Sequence, residues 1–395
     1  MRRTRPDATD IAAYSPKCNL HYHTFLGVTG NELPYYKRNR KTGNELPYYK
    51  HKKSQMNDFV IIANPISGKG HAKNVAEHGY AALTESGQHG QLVLTSASGD
   101  AKRFAQEAVA DDTRHVIACG GDGTLHEVVN GIAMAPDVTL GVLPCGRGND
   151  FAAAVGIPLK PEAAIATLLS GTPIRVDLGC CYNSSQQDGY RSSVNGYQLK
   201  RDLLNENPLP TTDNRQPTTI SSDNRQLITD NYFTTIATCG YDTEVSRRAA
   251  KGTPLFAGTA SYAYAAVETL FYYDPPAVRL EGDFGTYEGP LLLAATGITS
   301  RYGGGFQIVP DARIDDGLFD VCIVRPVSSL TVLRLLVTLF WGGHVGHPAV
   351  SMHQTRTLKI ETDPPILLYA DGEPMCETPA TIEIIKGGLT VMAPQ

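Results

Sequence analysis

No two cysteines in this sequence are spaced as CxxC, and that absence removes the usual zinc and dithiol signatures. The eight present, Cys18, Cys119, Cys145, Cys180, Cys181, Cys239, Cys322 and Cys376, are scattered, several within apolar or glycine-rich stretches. They read as reduced thiols of a cytosolic protein. Long hydrophobic runs are missing as well. The longest, LLVTLFW at 335–341, follows Arg334 and is too short to span a bilayer. The first residues, MRRTRPDATDIAAY, carry early arginines but no apolar stretch of signal-peptide length. A formal net charge of -5 argues against a nucleic-acid binder. The best-known catalytic fingerprints are absent too. There is no GxxxxGK[ST], GxSxG, HExxH or SxxK, and GxGxxG fails because His126 stands where its last glycine should fall.

What is present divides the chain. With 395 residues it is long enough for two domains and a sizeable buried core. TGNELPYYK at 29–37 recurs at 42–50, and DNRQ at 213–216 recurs at 223–226 inside a polar stretch. Neither region carries enough apolar residues to offset the entropy of ordering. Residues 1–57 are therefore expected to be a disordered tail and 184–229 a disordered insert. In the tail, Lys37, Arg38, Arg40, Lys41, Lys50, Lys52 and Lys53 interleave with Tyr35, Tyr36, Tyr48 and Tyr49, a pattern suited to an anionic membrane surface.

From Phe59 the pattern changes. FVIIANP, QLVLT, HVIACGG and TLGVLPCG are strand-like runs separated by helical stretches near 72–86, 100–110 and 124–133. That alternation predicts a parallel sheet with helices on both faces over 58–173, with 383–395 added to it. A second, mostly β region is expected over 174–382, with helices near 254–271 and 328–341. Within HVIACGGDGTLHEVVNG, Leu125, Val128, Val129 and Ile132 fall on one helical face. Thr124 and Glu127 have capping-box spacing, which would start the helix at Thr124.

Ligands of open parallel sheets bind beyond the carboxyl ends of the strands. The first strand leaves into Asn64-Pro65-Ile66-Ser67-Gly68-Lys69-Gly70, the second into Thr95-Ser96, and the third into Gly120-Gly121-Asp122-Gly123-Thr124. The fourth leaves into Cys145-Gly146-Arg147-Gly148-Asn149-Asp150. Such small, polar, glycine-rich exits on one sheet edge point to a nucleotide site, whose phosphates would meet free N–H groups at a helix start. Asp122 and Asp150 are then acidic residues beside a phosphate site, either helix caps or groups that manage metal or proton. Glu373 in LLYADGEP ends an apolar run, where it is either a hairpin-turn residue or a third carboxylate for the same chemistry.

NPISGKG at 64–70, GGDGTLHEVVNGI at 120–132, LPCGRGNDFA at 143–152, GGGFQIVPDARIDDGLFDV at 303–321 and DGE at 371–373 together resemble the diacylglycerol kinase catalytic-domain family. That family includes bacterial lipid kinases and the sphingosine and ceramide kinases. The resemblance covers roughly 58–183 and 230–393. It implies an α/β fold: a parallel-sheet nucleotide-binding domain like that of phosphofructokinases and NAD kinases, followed by a mostly β lipid-binding domain. It also implies ATP and Mg²⁺ as cofactors.

By the same resemblance Asn64, Pro65, Ser67, Gly68, Lys69, Thr95, Gly120, Gly121, Gly123, Thr124, Glu127 and Asn149 bind ATP. Arg147, where the family often has threonine, either clamps a phosphate oxygen or faces solvent, and is read as a phosphate contact. Asp122 holds Mg²⁺ or acts as base, Glu373 resembles the base of bacterial relatives, and Asp150 supports both. Asp315, Asp316 and Asp320, with the Leu318 carbonyl, resemble a separate structural Mg²⁺ site of oxygen ligands. The expected partner is a membrane lipid substrate, most simply diacylglycerol, at a peripheral cytoplasmic site, with no nucleic acid and with a homodimer left open. A sphingoid-base or ceramide kinase is the alternative within the family, and a nucleotide-binding regulator without turnover the alternative outside it. NAD kinases share GGDGT but not the two downstream blocks.

Overall fold

The structure, a computed structural model, describes residues 35–38, 45–48, 57–133, 135–184, 232–250 and 259–395. The chain separates into two compact units, Met1–Ser54 and Gln55–Gln395. In the first, β1 (Tyr35–Arg38) and β2 (Glu45–Tyr48) pair antiparallel, with Tyr35 opposite Tyr48. These strands fall in the stretch expected to be a tail. The copies of the duplicated peptide thus contribute different residues to the pair. The rest of the expected tail up to 56, and the insert from 185 to 231, lie outside the described residues.

The second unit opens with β3 (Phe59–Ala63), α1 (His71–Glu85), β4 (Gly90–Leu94), α2 (Asp100–Ala110), β5 (His115–Gly120), α3 (Asp122–Ile132) and β6 (Thr139–Pro144). The strands stand in the order β6-β5-β3-β4 and all pair in parallel. Every residue of β3 is buried, as expected for a parallel strand covered by helices on both faces. The chain steps outward from β3 to β4, then returns past β3 to β5. Between β3 and β5 the winding direction reverses, and there a crevice opens at the strand ends. The glycine-rich turns after both strands occupy that crevice.

Next come α4 (Asp150–Val155), α5 (Pro161–Ser170), β7 (Thr172–Asn183), β8 (Tyr232–Phe233), β9 (Ile236–Gly240), α6 (Tyr241–Ala250) and α7 (Thr259–Tyr272). They are followed by β10 (Ala277–Gly282), β11 (Gly285–Pro290), β12 (Leu293–Gly297), β13 (Phe319–Val324) and α8 (Ser329–Thr338). The last strands are β14 (Val350–Thr355), β15 (Thr357–Asp363), β16 (Leu367–Ala370), β17 (Glu373–Glu377) and β18 (Ala380–Ala393). A six-stranded antiparallel sheet, β14-β13-β12-β9-β16-β17, faces the antiparallel half of a ten-stranded sheet that also contains the parallel strands. A shared core of Phe233, Phe319, Leu280, Val321 and Ile382 binds these layers, with the two phenylalanine rings stacked at 5.9 Å. The expected order of a parallel α/β region followed by a mostly β region is what the structure shows.

The boundaries drawn at 173/174 and 382/383 fall inside strands β7 and β18. Those two strands pair antiparallel along almost their whole length, and β18 also pairs in parallel with β6 at Thr390↔Thr139. The sheet is therefore continuous across the junction. A register break between Ile385 and Leu389 bends the pair. Buried Asp177 holds that bend by accepting the Gly387 and Gly317 N–H groups, both at 2.6 Å. β7 and β8, which flank the insert, pair antiparallel, with Gly179 opposite Phe233.

α3 begins at Asp122, not Thr124, because Gly121 is already its N-cap and its carbonyl accepts the Leu125 N–H at 3.0 Å. The Thr124–Glu127 capping box does not form. Thr124 is buried against Gly120, and Glu127 reaches out of the helix to another element. The helix expected over 254–271 is described from Thr259, whereas α4, α5 and α6 were not anticipated.

Candidate active site

Two cavities open on opposite sides of the first turn of α3. One, of about 840 Å³, is lined by Asn64, Pro65 and Ser67 from the β3 exit, Thr95 to Gly99 from the β4 exit, and Gly121, Gly123, Thr124 and Glu127. Glu373 and Pro374 close it from the β-rich region. The other, of about 580 Å³, is lined by Asp122, Arg147, Gly148 and Asp150, and by Thr234, Thr235, Asp242, Tyr302, Gly303, Gly304 and Asp371. Residues 121–124 form the partition between them.

Most of the expected nucleotide residues line the first cavity. Gly68 and Lys69 do not: they stand beside it in left-handed backbone, with φ of 60° and 58°. Gly68 is required there, since a Cβ would meet the Cys145 carbonyl at 2.7 Å. Gly120 lies beneath the turn, and Asn149 ties the neighbouring loop rather than lining the cavity. Its side chain accepts the Gly146 N–H at 2.8 Å and donates to the Gly146 carbonyl at 3.0 Å. Glu127 lines the wall and also builds it. Its carboxylate accepts the N–H groups of Gly99 at 2.9 Å and Ala101 at 3.0 Å, capping α2 from α3.

Asp122 accepts the Asn149 N–H at 3.0 Å and the Asp150 N–H at 3.1 Å. It thereby joins the β5 exit to the β6 exit and caps α4. Burial lifts its carboxyl above the ordinary carboxylate range despite those N–H bonds, and the charge of Asp371 adds to the shift. Asp150 is raised by burial too, while the Gly304 N–H it accepts at 3.0 Å opposes the shift and the charges of Asp122 and Asp371 reinforce it. Both carboxylates crowd Gly148, where a Cβ would stand 2.7 Å from Asp122 Oδ2 and 3.2 Å from Asp150 Oδ2. Only glycine leaves that point open. Arg147 lines the second cavity and not the first, so the structure does not place it among the nucleotide-side groups.

Glu373, the first residue of β17, comes within reach of the turn only through the packing of the β-rich region on the parallel sheet. A Cβ at Gly123 would stand 3.2 Å from Glu373 Oε1. The carboxylate thus sits at the positive end of α3.

The residue that fixes this arrangement, Asp371, was not singled out from the sequence. Its side chain is 4% exposed. It accepts the Thr234 and Thr235 N–H groups at 2.9 and 2.8 Å and the Thr235 hydroxyl at 2.5 Å, and lies 3.4 Å from His126 Nδ1. Burial would raise its carboxyl, but His126 and the threonine donors outweigh that cost and hold it below the usual range. Asp371 therefore pins the β16–β17 turn, which carries Glu373, to both the β8–β9 link and α3. Asn130 reinforces the link by pairing with both backbone groups of Tyr232. The available signals were the Thr-Thr pair inside an apolar run and an aspartate directly before Gly372.

The Asp315, Asp316, Leu318 and Asp320 group is brought together only in part. Asp320 is buried, accepts from Gln354 at 3.3 Å, and has an unpartnered Oδ2. That orphaned atom suits an oxygen-bound cation, and the nearby charge of Asp316 raises Asp320 after burial does. Asp315 differs from expectation: it is exposed and pairs with Arg313 at 3.5 Å. Among the described residues no three His, Cys, Asp or Glu side chains form a metal cluster.

Comparisons with known proteins agree with this architecture. Residues 58–181 match the family described as "Diacylglycerol kinase catalytic domain", and residues 235–393 the one described as "YegS C-terminal NAD kinase beta sandwich-like domain". A diacylglycerol kinase of Mycobacterium tuberculosis (strain ATCC 25618 / H37Rv) is 31% identical over 346 residues, covering 87% of this chain and 97% of the relative. One from Staphylococcus carnosus is 28% identical over 336 residues, covering 85% and 94%. A crystal structure of a diacylglycerol kinase from Bacillus anthracis str. Sterne superposes with a TM-score of 0.61 at 19% identity, covering 86% of this chain and 98% of that one, a likeness of fold. With the sequence matches spanning both regions and the two-cavity site between them, this chain belongs to the diacylglycerol kinase family and is a kinase.

Proposed function

We propose that this chain transfers the γ-phosphate of ATP to the hydroxyl of a membrane lipid, diacylglycerol in the first instance, giving phosphatidic acid. The observation that carries this reading is the pair of cavities separated by a single turn, Gly121 to Thr124. A nucleotide on one side and a hydroxyl on the other would meet at that turn. Phosphate oxygens would be held by the N–H groups that start α3, and Gly121 lets the chain approach Gly146, whose Cα would lie 3.1 Å from an added Cβ.

In the transfer, a bond forms between the lipid oxygen and the γ-phosphorus as the bond to the β-phosphate oxygen breaks. The hydroxyl proton passes to a carboxylate at the turn, either Glu373, which reaches Gly123 from the nucleotide side, or Asp122, which lines the acceptor cavity itself. Little covalent work falls to the protein, so positioning and charge carry the catalysis. Mg²⁺ when bound would neutralise phosphate charge. Asp122 is the residue that would hold it at the turn, and Asp320 with Asp316 and the Leu318 carbonyl would hold a structural ion.

The acceptor cavity carries Asp122, Asp150, Asp242 and Asp371 against a single arginine, Arg147. That balance disfavours an anionic acceptor. It also supports a second reading, a sphingoid base whose ammonium group the carboxylates would attract. Incubating the chain with radiolabelled ATP and a panel of diacylglycerol, sphingoid base and ceramide in mixed micelles should label diacylglycerol most strongly. Labelling of the amine lipid alone would move the assignment to the second reading, and labelling of none would remove the lipid-kinase assignment.

Among the described residues no helix is long and apolar enough to cross a membrane. In this reading the lipid is met by a peripheral approach. The basic, tyrosine-rich stretch 37–53 is expected to contribute about 1 kcal/mol per basic residue near an anionic surface. Co-sedimentation with anionic liposomes should be weaker for a truncated chain starting at Asn57 than for the full chain. Equal binding would end that role for the tail.

A further inference from the structure

α8 is apolar on both faces. Val332 and the adjoining Leu339 are buried in the core behind it, as a helix packed on a sheet requires. Its outer face repeats the pattern toward solvent, with Leu330 60%, Leu333 40% and Val337 57% exposed, and the Leu339–Trp341 turn adds Phe340 at 59% and Trp341 at 62%. Exposed apolar residues so grouped mark an interaction surface. The start of α8 abuts the end of α7 through Ser329 Oγ, which donates to the Leu270 carbonyl at 3.3 Å, next to Phe271, itself 73% exposed.

Two further observations define the partner. α8 and the segments joined to it, residues 321–341, contain Arg325 and Arg334 but no acidic side chain, in a chain whose net charge is -5. This surface complements an anionic partner, whereas a second copy across a two-fold axis would bring like charges together. The patch is also continuous with the acceptor cavity. Phe340 packs on Phe306 with ring centres 4.9 Å apart, Phe306 lies 6.3 Å from Tyr302, and Tyr302 lines the cavity. We infer that the outer face of α8 and the Leu339–Trp341 turn rest on an anionic lipid bilayer and set the acceptor cavity against it. The inference builds on the lipid-kinase reading, but its test does not depend on turnover.

Trp341 is the only tryptophan of the chain and therefore reports on this surface alone. With the full chain and vesicles of phosphatidylcholine and phosphatidylglycerol at roughly 7:3, its emission should shift to the blue and be quenched by brominated acyl chains. Replacing Leu333→Glu and Val337→Glu together should lower vesicle binding by about tenfold or more, with the circular dichroism spectrum unchanged. Co-sedimentation without quenching of Trp341, or binding indifferent to the double substitution, would show that another surface docks and overturn the inference. A stable dimer with Trp341 already blue-shifted in lipid-free buffer would assign the face to a second copy and overturn it equally. If labelled ATP marks no lipid while Trp341 is still quenched, the kinase reading fails and the docking surface stands.

Discussion

Asp122→Asn is expected to lower kcat by more than about 10²-fold, the scale seen when one preorganised electrostatic group is removed from a reacting centre. The structure adds that this substitution is not silent in the fold. The carboxylate accepts N–H groups from both Asn149 and Asp150, so an asparagine can satisfy one and must turn its own NH₂ toward the other. One unpaired buried donor costs about 1–3 kcal/mol, which should appear as a lower melting temperature. Measuring turnover and thermal melting on the same preparation separates the two effects. If the melting temperature falls while turnover stays within about threefold of the wild type, Asp122 is a cap for α4 that only happens to face the cavity.

Glu373→Gln should lower kcat by roughly 10²–10⁴-fold, the usual contribution of a positioned base. KM for ATP should change little, because glutamine keeps the shape and leaves the α3 N–H groups in place. Stability should also be nearly unaffected, since Glu373 is exposed. That pattern differs from the one expected for Asp122 and so distinguishes the candidates for the proton acceptor. A Glu373→Gln variant within about threefold of wild type would return the base role to Asp122. The comparison also probes the architecture, since Glu373 reaches Gly123 only if β17 is held where Asp371 holds it.

Much of the nucleotide side was legible because it is built from local chain geometry. Apolar runs ending in small residues gave the parallel strands and their exits, and Asn64, Ser67, Thr95, Gly121, Gly123 and Thr124 do line one cavity. Glu127 shows where local reading fails. Its spacing from Thr124 fits a capping box, yet the N–H groups it satisfies belong to α2. Spacing records which groups could meet within one helix, and it is blind to a stronger demand from a neighbouring one. The side on which Arg147 lies was not legible for a related reason: the loop between β6 and α4 can turn its residues to either side of α3, and only packing selects the side.

The sequence by itself determined the strand-helix alternation, the glycine positions where the backbone must turn tightly, and the five ordered blocks that place the chain in its family. Those features follow from periodicity and conformational freedom within a few residues, so they survive without a tertiary context. Only the tertiary structure decided that one helix turn would separate two cavities, that Asp122 would bridge two strand exits, and that Asp371 would bring Glu373 to Gly123 from 250 positions along the chain. The physical reason is the hydrogen-bond demand of buried carboxylates. Asp122, Asp371 and Asp177 each take N–H partners from segments far apart in the chain, and which segments arrive is settled only when the sheet and the sandwich have packed.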